Sequence, residues 1–439
     1  MQAFLSARVC GKKAHMRVLL ISANTEQVNI PPLPLGLDCV ARAARNAGHD
    51  VELLDLMSRG DIRSAVAHAH DAFHPDVIGI SVRNIDDQSM QAPKFLLDQV
   101  RSVVSQCRDL TDATIVLGGA GFSIFPESAL SYLNADMGIQ GEGELAFPVL
   151  LERIEKNLGL SDVPGLYLRG RGLQCERVFA GDLDTLPLPD PGVAAKAVSD
   201  RRETWLPVQT RRGCPMDCSY CSTGLIEGRS IRTRSPELVI ENIARHVEAG
   251  FRRFYFVDNT FNLPPAYAKD VCAQIIQRGL EISWRCILYP GTLDEEFVGL
   301  LARAGCIEVS LGFESGSDRI LDSMNKKFHA RNVRIASEML RHAGIRRMGF
   351  LLLGGPGETR ETVRESLVFA ESLGLEALKI SCGVRIYPGT MLAKAALEDG
   401  TISLDDDLLF PRFYMARGLG EWLAETVNEW KAGRPHWMS

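Results

Sequence analysis

Three cysteines stand close together in the chain with the spacing C-x3-C-x2-C, namely Cys214, Cys218 and Cys221. Thiolates are the ligands of iron–sulfur clusters, and a four-iron cluster takes four of them, so three cysteines leave one iron with an open position. A structural zinc site needs four ligands, and the next histidine, His246, falls in a predicted helix farther along the chain. The spacing therefore predicts an iron–sulfur cluster with one open iron, in preference to zinc or to three buried structural thiols.

The remaining cysteines are scattered, and the total of eleven is odd. Residues 1–15 carry Lys12 and Lys13 but no apolar core, so they do not resemble a secretory signal. In a long chain of this kind, single cysteines usually behave as small buried hydrophobic residues. We therefore expect a cytoplasmic protein with structural thiols at Cys10, Cys39, Cys107, Cys175, Cys272, Cys286, Cys306 and Cys382.

The composition limits the classes of protein to consider. The 439 residues are 46% hydrophobic and 24% charged, which excludes wholesale disorder and allows two to three domains of ~100–200 residues. A net charge of −6 argues against a protein that binds nucleic acid by bulk neutralisation of phosphates. No apolar run approaches the ~20 residues of a membrane span, so we expect no membrane partner.

Residues 16–150 alternate apolar strands with helices. Parallel strands need crossover helices, so five such strands predict an α/β domain with a doubly wound, Rossmann-like parallel sheet. Ligands of these sheets bind at the carboxyl ends of the strands, which makes this a binding domain. The candidate ligand-binding residues at those ends are Asn24, Asn84, Asp87, Gly118, Gly119, Gly141 and Glu142.

A connector without periodicity, residues 151–204, divides the chain. Pro187, Pro189 and Pro191 make part of it an extended linker. A second series of six strands with intervening helices follows, and its roughly 190 residues are too few for a complete eight-fold barrel of ~250. We predict a partial (β/α)6 barrel over residues 205–395. A short helical C-terminal cap is expected over 396–439, and a loose N-terminal extension over 1–15.

The cysteine motif and five later segments resemble the radical S-adenosylmethionine (SAM) enzymes. An aromatic residue, Tyr220, stands just before the third cysteine. Because the sheet domain precedes these segments, the chain resembles the cobalamin-binding class of that family over about residues 16–415. The matching segments are Arg212–Thr223, Arg232–Glu237, Phe256–Asn259, Leu311–Gly316, Leu353–Thr359 and Arg385–Thr390.

The resemblance implies a mechanism. Cys214, Cys218 and Cys221 would hold three irons of a [4Fe-4S] cluster, and the amino and carboxylate groups of SAM would bind the fourth. One electron, from an external donor such as flavodoxin or ferredoxin, would cleave the sulfonium to a 5′-deoxyadenosyl radical that abstracts hydrogen from an unactivated carbon. The cofactors supply this chemistry, and the protein positions them.

The resemblance also implies which residues contact SAM. Glu314 would accept hydrogen bonds from the ribose hydroxyls, or alternatively it forms a salt bridge at the rim of the barrel. Asp258 and Asn259 would hold the amino group. Gly354 would let the backbone approach adenine closely.

Two further residues are implied in the catalytic pocket. Tyr220 would form a wall of the adenosyl pocket. Arg385 would meet a carboxylate of SAM or of the substrate, although an ordinary surface role for this arginine is the alternative.

Segments of the sheet domain resemble the cobalamin-binding module: Pro32–Leu37, Gly118–Glu127 with Ser123, and Gly141–Glu144. This resemblance implies that the nucleotide tail of cobalamin lies among the glycine turns. The D-x-H-x-x-G signature, which supplies a histidine to cobalt, is absent after the first strand. We therefore expect cobalt without histidine, its lower face close to Arg83–Gln88, unless the module is degenerate and binds no cobalamin.

These features favour an enzyme that transfers a methyl group, through methylcobalamin, to an unactivated carbon or phosphorus of a small molecule or natural-product precursor. A radical SAM enzyme with a vestigial cobalamin domain is the second possibility, with 3-amino-3-carboxypropyl transfer to a soft nucleophile, ring formation or oxidation as its chemistry. A cobalamin or metal sensor without enzymatic activity is disfavoured, because no helix–turn–helix segment or basic patch is evident.

Overall fold

The computed structural model describes residues 15–26, 33–57 and 60–438. Most of the predicted N-terminal extension and the prolines Pro31 and Pro32 therefore lie outside the described residues. The chain divides into two compact units. The first contains the described residues up to Glu26 together with Gly36–Arg83 and Asp98–Ala180, and the second contains Asn84–Leu97 and the chain from Gly181 onward.

The first unit is built on a seven-stranded sheet with the strand order β2-β1-β3-β4-β5-β6-β7. The first five strands in that order are parallel, which confirms the predicted doubly wound sheet. Their apolar runs are buried, as residues 18–21 of β1 illustrate. The strands are β1 (Arg17–Ser22), β2 (Asp50–Asp55), β3 (Val77–Ser81), β4 (Thr114–Gly118), β5 (Met137–Ile139), β6 (Leu166–Leu168) and β7 (Gly172–Leu173).

The order of the parallel strands places a topological switch point between β1 and β3, since β2 lies on one side of β1 and β4 lies beyond β3. In open α/β sheets, ligands bind outside the carboxyl ends of the strands at such a point. The connecting helices of this unit are α1 (Leu35–Asn46), α2 (Ile62–Phe73), α3 (Leu97–Leu110), α4 (Ala120–Ile124), α5 (Pro126–Leu133) and α6 (Gly143–Glu155).

The structure differs from the sequence-based expectation for residues 151–204. This segment begins with the end of α6 and then adds β6 and β7 to the first sheet as antiparallel strands. Gly165 enters β6 with φ +68°, and a Cβ there would lie 2.2 Å from the carbonyl oxygen of Gln140. The two strands have only three and two residues, so they carry no readable alternation of polar and apolar positions.

The second unit contains a seven-stranded sheet with the order β18-β15-β14-β13-β12-β11-β8. All its neighbouring strands are parallel, which confirms the predicted six strands of a partial barrel, and a short C-terminal strand is added. They are β8 (Trp205–Val208), β11 (Arg253–Phe256), β12 (Ser283–Leu288), β13 (Cys306–Glu314), β14 (Arg346–Leu353), β15 (Ala377–Cys382) and β18 (Trp437–Met438).

Two small antiparallel pairs, ten α-helices and two short 3-10 helices complete the described part of this unit. The pairs are β9 (Arg211–Arg212) with β10 (Arg232–Thr233), and β16 (Val384–Arg385) with β17 (Phe413–Tyr414). The helices are α7 (Pro191–Ala197), α8 (Thr223–Glu227), α9 (Pro236–Glu248), α10 (Pro265–Gln277), α11 (Glu295–Arg303), α12 (Asp318–Ser323), α13 (Ala330–His342), α14 (Arg360–Ser372), α15 (Met391–Glu398) and α16 (Gly420–Lys431).

Aromatic side chains fill the interior of the second unit. Trp284 on β12 packs against Phe256 and Phe261 with ring centroids 4.8 Å and 5.3 Å away, and its indole N–H donates to the carbonyl oxygen of Ala304 at 2.7 Å. All three rings are fully buried, so each contributes a large apolar area to the core. This core holds the strand ends that carry the candidate site.

Candidate active site

The cysteine loop begins directly after β9 and is fixed mainly by backbone hydrogen bonds. The N–H of Cys214 donates to Gly228 at 3.1 Å, and the N–H of Cys221 donates to Cys218 at 3.1 Å. Gly213 has φ +88°, and a Cβ at this position would lie 2.0 Å from the carbonyl oxygen of Ser230, so only glycine fits here. The three cysteines therefore stand on a backbone of defined shape.

The three cysteines fit an iron–sulfur cluster better than a single metal ion. All three are free thiols, and burial raises the pKa of Cys214 and of Cys218. Within the described residues, no three His, Cys, Asp or Glu side chains are placed to share one ion, as a zinc site requires. A cluster instead binds each thiolate through a different iron, and the three thiols lie near enough to influence one another's pKa.

Glu314 ends β13 and receives two hydrogen bonds at one carboxylate oxygen. The hydroxyl of Tyr220 donates to Oε1 at 3.0 Å, and the ammonium of Lys326 donates to the same atom at 3.3 Å. Glu314 has φ +64°, next to an irregularity in the register of β13 with β14, which turns its side chain away from an ordinary strand position. The structure thus brings Tyr220 and Glu314 together, two residues that the sequence analysis selected separately.

Lys326 is a site residue that the sequence analysis missed. Its side chain is 8% exposed, and its ammonium lies 5.4 Å from the ring centre of Tyr220 and 5.8 Å from that of Phe328. Burial alone would lower the pKa of Lys326, but the nearby Tyr220 and Glu314 raise it, so the side chain stays cationic. The signal for this role is weak in sequence, since Lys326 follows Glu314 by 12 residues and a short helix.

Asp258 binds the backbone that leads into the cysteine loop. Its Oδ1 accepts the N–H groups of Thr210 and Arg211 at 2.8 Å and 3.1 Å, and its Oδ2 accepts the Thr210 hydroxyl at 2.7 Å. The residue is 1% exposed, and burial raises its pKa to about 6. Both oxygens bind Thr210 and Arg211, so Asp258 holds the start of the cysteine loop, and its predicted contact with the amino group of SAM stays a prediction.

Asn259 is linked to the cysteine loop by Glu227, a second residue that the sequence analysis missed. The amide of Asn259 donates to Glu227 Oε2 at 2.7 Å, and the N–H of Gly213 donates to the same oxygen at 3.1 Å. The other oxygen accepts the amide of Gln209 at 3.1 Å. Glu227 therefore ties the end of β11 to the residue that precedes Cys214.

The glycine turn after β14 is organised by Glu358. The N–H groups of Gly354 and Gly355 both donate to Glu358 Oε2, while Oε1 is buried without a hydrogen-bond partner. Burial raises the pKa of Glu358 to about 7. Gly354 has φ +99°, and a Cβ there would approach the sulfur of Met415 to 2.9 Å. The turn is thus specific for glycine, and the close approach of its backbone to adenine stays a prediction.

Arg385 forms a buried ion pair with Asp86. Its Nε donates to Asp86 Oδ2 at 2.8 Å, and its other nitrogens donate to the carbonyl oxygens of Ile386 and Leu408 at 2.7 Å and 2.8 Å. The alternative surface role is wrong, because Arg385 is 4% exposed, and the predicted contact with a carboxylate of SAM or of the substrate stays a prediction. The ion pair is non-local, because the partner carboxylate stands 299 residues away in sequence.

In the first unit, Ser123 joins the two glycine turns after β4 and β5. Its hydroxyl donates to the carbonyl oxygen of Gly119 at 3.0 Å and accepts the N–H of Gly141 at 3.0 Å. Gly119 has φ +102°, and a Cβ there would lie 2.7 Å from the carbonyl oxygen of Val82 at the end of β3. The carboxyl ends of β3, β4 and β5 therefore meet at the edge where a ligand of this sheet is expected.

The other residues predicted to bind cobalamin differ in burial and in hydrogen-bond partners. Gly118 ends β4, and Asn24 follows β1 by two positions. Glu142 is buried and accepts the N–H of Ala180 at 2.7 Å. Asn84 and Asp87 are exposed and belong to the second unit, where Asp87 Oδ1 accepts the N–H groups of two later residues of the same loop. Glu142 and Asp87 thus shape the backbone around them.

Comparison with known protein families assigns both domains. Residues 208–370 match the model of the radical SAM superfamily, and residues 21–151 match the model of the B12 binding domain. The first range covers the cysteine loop, Glu314 and the glycine turn after β14. The second covers the parallel sheet and its glycine turns.

Several known proteins are similar to this chain over most of its length. An uncharacterized methyltransferase of Pyrococcus horikoshii is 28% identical over 88% of this chain and 84% of its own. The tryptophan 2-C-methyltransferase of Streptomyces laurentii is 26% identical over 85% of this chain and 74% of its own. The solved structure of the radical SAM methyltransferase TsrM from Kitasatospora setae, with tryptophan and a SAM analogue bound, has a TM-score of 0.83 at 24% identity, covering 95% and 88% of the two chains. This last likeness shows the fold.

Among the described residues, the structure has no helix long and apolar enough to cross a membrane.

Proposed function

Because this chain belongs to the cobalamin-binding class of radical SAM enzymes, we propose that it methylates an unactivated carbon or phosphorus of a small-molecule substrate. Its cofactors are a [4Fe-4S] cluster, SAM and cobalamin, as the sequence predicted. The observation that carries the proposal is the pairing of the cysteine loop with Glu314 through Tyr220 in a chain that also has a cobalamin domain. A carbon acceptor is favoured by the similarity to a methyltransferase that acts at C-2 of tryptophan.

Each residue has a task in this proposal. Cys214, Cys218 and Cys221 hold the cluster. Glu314 accepts hydrogen bonds from the ribose hydroxyls of SAM, and Tyr220 and Lys326 fix the position of the Glu314 carboxylate. When bound, the cluster and SAM supply one-electron chemistry at the sulfonium, and cobalamin supplies a methyl carrier. Burial keeps the Tyr220 hydroxyl protonated by raising its pKa, so this group acts as a hydrogen-bond donor.

The proposal also includes the domain assignment, the partner and the location. Residues 16–150, together with β6 and β7, bind cobalamin, and residues 205–395 bind the cluster and SAM. The chain between β7 and residue 205 is the connection, and residues 396–439 form a cap. Electrons come from an external one-electron protein donor such as flavodoxin or ferredoxin. The enzyme acts in the cytoplasm, where such donors and reduced thiols are found.

The test is an anaerobic incubation with reductant, cobalamin, host extract and SAM that carries a trideuterated methyl group. Untargeted mass spectrometry should find a product heavier by one labelled methyl group. The product should be absent when cobalamin is omitted and when Cys218→Ala enzyme is used. A product that carries the aminocarboxypropyl portion of SAM, or one that forms equally without cobalamin, would contradict methyl transfer and favour a vestigial cobalamin domain.

A further inference from the structure

A buried ion pair holds the loop that follows β3. Asp86 Oδ2 accepts the Nε of Arg385 at 2.8 Å, and the side chains of the two residues are 1% and 3% exposed. The loop, residues 84–97, belongs by its contacts to the second unit, as Arg385 does. The proposed function gives this pair no role.

Both members of the pair are fully engaged with the surrounding backbone. Arg385 also donates to the carbonyl oxygens of Ile386, Leu408 and Leu409 at 2.7 Å, 2.8 Å and 3.4 Å. The other oxygen of Asp86 accepts the N–H of Gln88 at 2.9 Å. Gln88 has φ +59°, a conformation that residues other than glycine seldom adopt. Asp86 therefore fixes an unfavourable turn in the loop, and Arg385 fixes Asp86.

Two further contacts restrict the same loop. The sulfur of Met90 lies so close to Gly383 that a Cβ on the glycine would be 2.3 Å from it. The ring of Phe95 packs against the ring of Phe410 with centroids 4.6 Å apart. Residues 84–97 are therefore held at three places along their length, with the ion pair at the beginning of the loop.

The position of this loop in the chain connects it to a ligand. It leaves the carboxyl end of β3, one of the two strands at the switch point of the first sheet, where ligands of doubly wound sheets bind. It also lies inside the range that matches the B12 binding domain, although its contacts are with the second unit. A loop in this place that the protein's own contacts hold in one conformation has less freedom to lose when a ligand binds.

We propose that Asp86 and Arg385 are positioning residues for cobalamin, because their ion pair holds residues 84–90 in the conformation that receives the cofactor. The inference rests on the proposed function in that cobalamin is bound. The apparent dissociation constant of a ligand rises in proportion to the loss of the binding-competent state. If breaking the pair leaves about one tenth of the molecules with the loop in place, cobalamin should bind about 10-fold more weakly.

The chain offers a matched control in Arg347 on β14. Its guanidinium pairs with Glu376 at 2.8 Å and donates to the carbonyl oxygens of Leu373 and Gly374 at 3.2 Å and 2.7 Å. It is as buried as Arg385 and has the same kinds of partner, but none of those partners belongs to residues 84–97. Loss of this arginine should therefore weaken the fold without affecting the loop.

The experiment compares Arg385→Met, Asp86→Asn and Arg347→Met in full-length protein carrying its cluster. Cobalamin affinity is measured by anaerobic titration of its visible absorption, SAM affinity by equilibrium dialysis, and stability by thermal unfolding. We expect about 10-fold weaker cobalamin binding in the first two variants, with iron content and SAM affinity unchanged. Arg347→Met should lower the unfolding temperature and leave cobalamin affinity as in the wild type.

Limited proteolysis provides a readout without cobalamin. Cleavage within residues 84–97 should be faster in Arg385→Met than in Arg347→Met. If Arg385→Met does not fold, Arg385→Lys replaces it, since lysine keeps the charge but loses the forked geometry. Unchanged cobalamin affinity in the folded variants, or an equal loss in Arg347→Met, would overturn the positioning role. Absence of cobalamin binding in the wild type would instead refute the proposed function, and the inference with it.

Discussion

The hydroxyl of Tyr220 donates a 3.0 Å hydrogen bond to Glu314, a residue 94 positions later in the chain. The aromatic residue before the third cysteine is therefore in contact with the carboxylate that ends the fourth barrel strand in chain order. A shift of the cysteine loop must break this bond or move the end of β13. Cluster assembly and the geometry of the carboxylate are thus structurally linked.

The first prediction concerns the cluster. Replacing Cys218 with Ala removes one of three thiolates and should abolish most of the bound iron and the broad ~400 nm absorption of thiolate-bound iron–sulfur centres. Iron content and absorption after anaerobic reconstitution provide the measurement. Cys175→Ala is the control, because this free, half-buried cysteine lies in the first unit, and it should retain the full cluster. A complete cluster in Cys218→Ala would rule out the assignment.

The second prediction concerns Glu314. A charge-assisted hydrogen bond contributes ~1.5–3 kcal/mol, so Glu314→Ala should weaken SAM binding roughly 10- to 150-fold without loss of iron. Equilibrium dialysis with labelled SAM measures the change. Glu308→Ala is a suitable control, because Glu308 also lies on β13 but pairs with Arg285. Equal SAM affinity in the two variants would contradict the contact of Glu314 with the ribose and support its alternative role in a salt bridge at the rim of the barrel.

The third prediction concerns Lys326 and its neighbour. Lys326→Met leaves the Glu314 carboxylate without its cationic partner, and loss of one member of a buried pair costs ~3–5 kcal/mol of folding stability. Chemical denaturation of the cluster-free protein should detect this loss. Lys327→Met is the matched control, since Lys327 is exposed and pairs with Asn325, and its effect should stay below ~0.5 kcal/mol. Similar stabilities for the two variants would contradict the buried pairing.

The fourth prediction concerns pH. Burial raises the pKa of Glu358 from 4.5 to about 7, so the folded chain binds this proton more tightly than the unfolded chain. The corresponding stability is fully present below the unfolded pKa and is lost as the pH rises through about 7. Glu358→Gln has no proton to lose, so its stability should fall less across this range than that of the wild type.

Urea unfolding of the cluster-free protein over a pH series measures this difference. Glu365→Gln, an exposed change on α14, should follow the wild-type curve. Parallel curves for wild type and Glu358→Gln would show that Glu358 keeps the same pKa in both states.

The fifth prediction concerns cobalt. The loop after β1 and residues 84–97 contain no histidine, so cobalamin should bind without a histidine ligand. Electron paramagnetic resonance of the cob(II)alamin form should then lack superhyperfine splitting from a protein nitrogen. Splitting that disappears when one of the nine histidines is replaced would refute this expectation.

The sequence predicted well those features that depend on residues close together in the chain. Apolar runs such as residues 18–21 identified the strands, because a short run of consecutive apolar residues rich in Val and Ile is typical of a strand buried on both faces. The cysteine spacing and Gly213 likewise lie within one loop. Local patterns of this kind determine both the type of element and its ends.

Contacts between distant segments could not be predicted in the same way. Arg385 has a charged side chain that could bind a ligand carboxylate, but its partner in the structure is Asp86, 299 residues earlier in the chain. Lys326 and Glu227 carry no motif, and their roles depend on Glu314 and Asn259 being brought to them by the fold. Buried polar residues require partners, but the sequence does not say which ones.

The sheet of the second unit is open, so it has two edges at which another chain could add a strand. At one edge, β8 includes Pro207, which has no N–H to offer an incoming strand. At the other edge, β18 covers β15 with only two residues, and its Trp437 is held between Arg434 and Trp430. Deleting residues 437–439 would leave the edge of β15 without its neighbouring strand. The shortened protein should then self-associate by strand pairing at concentrations at which the protein with these residues does not.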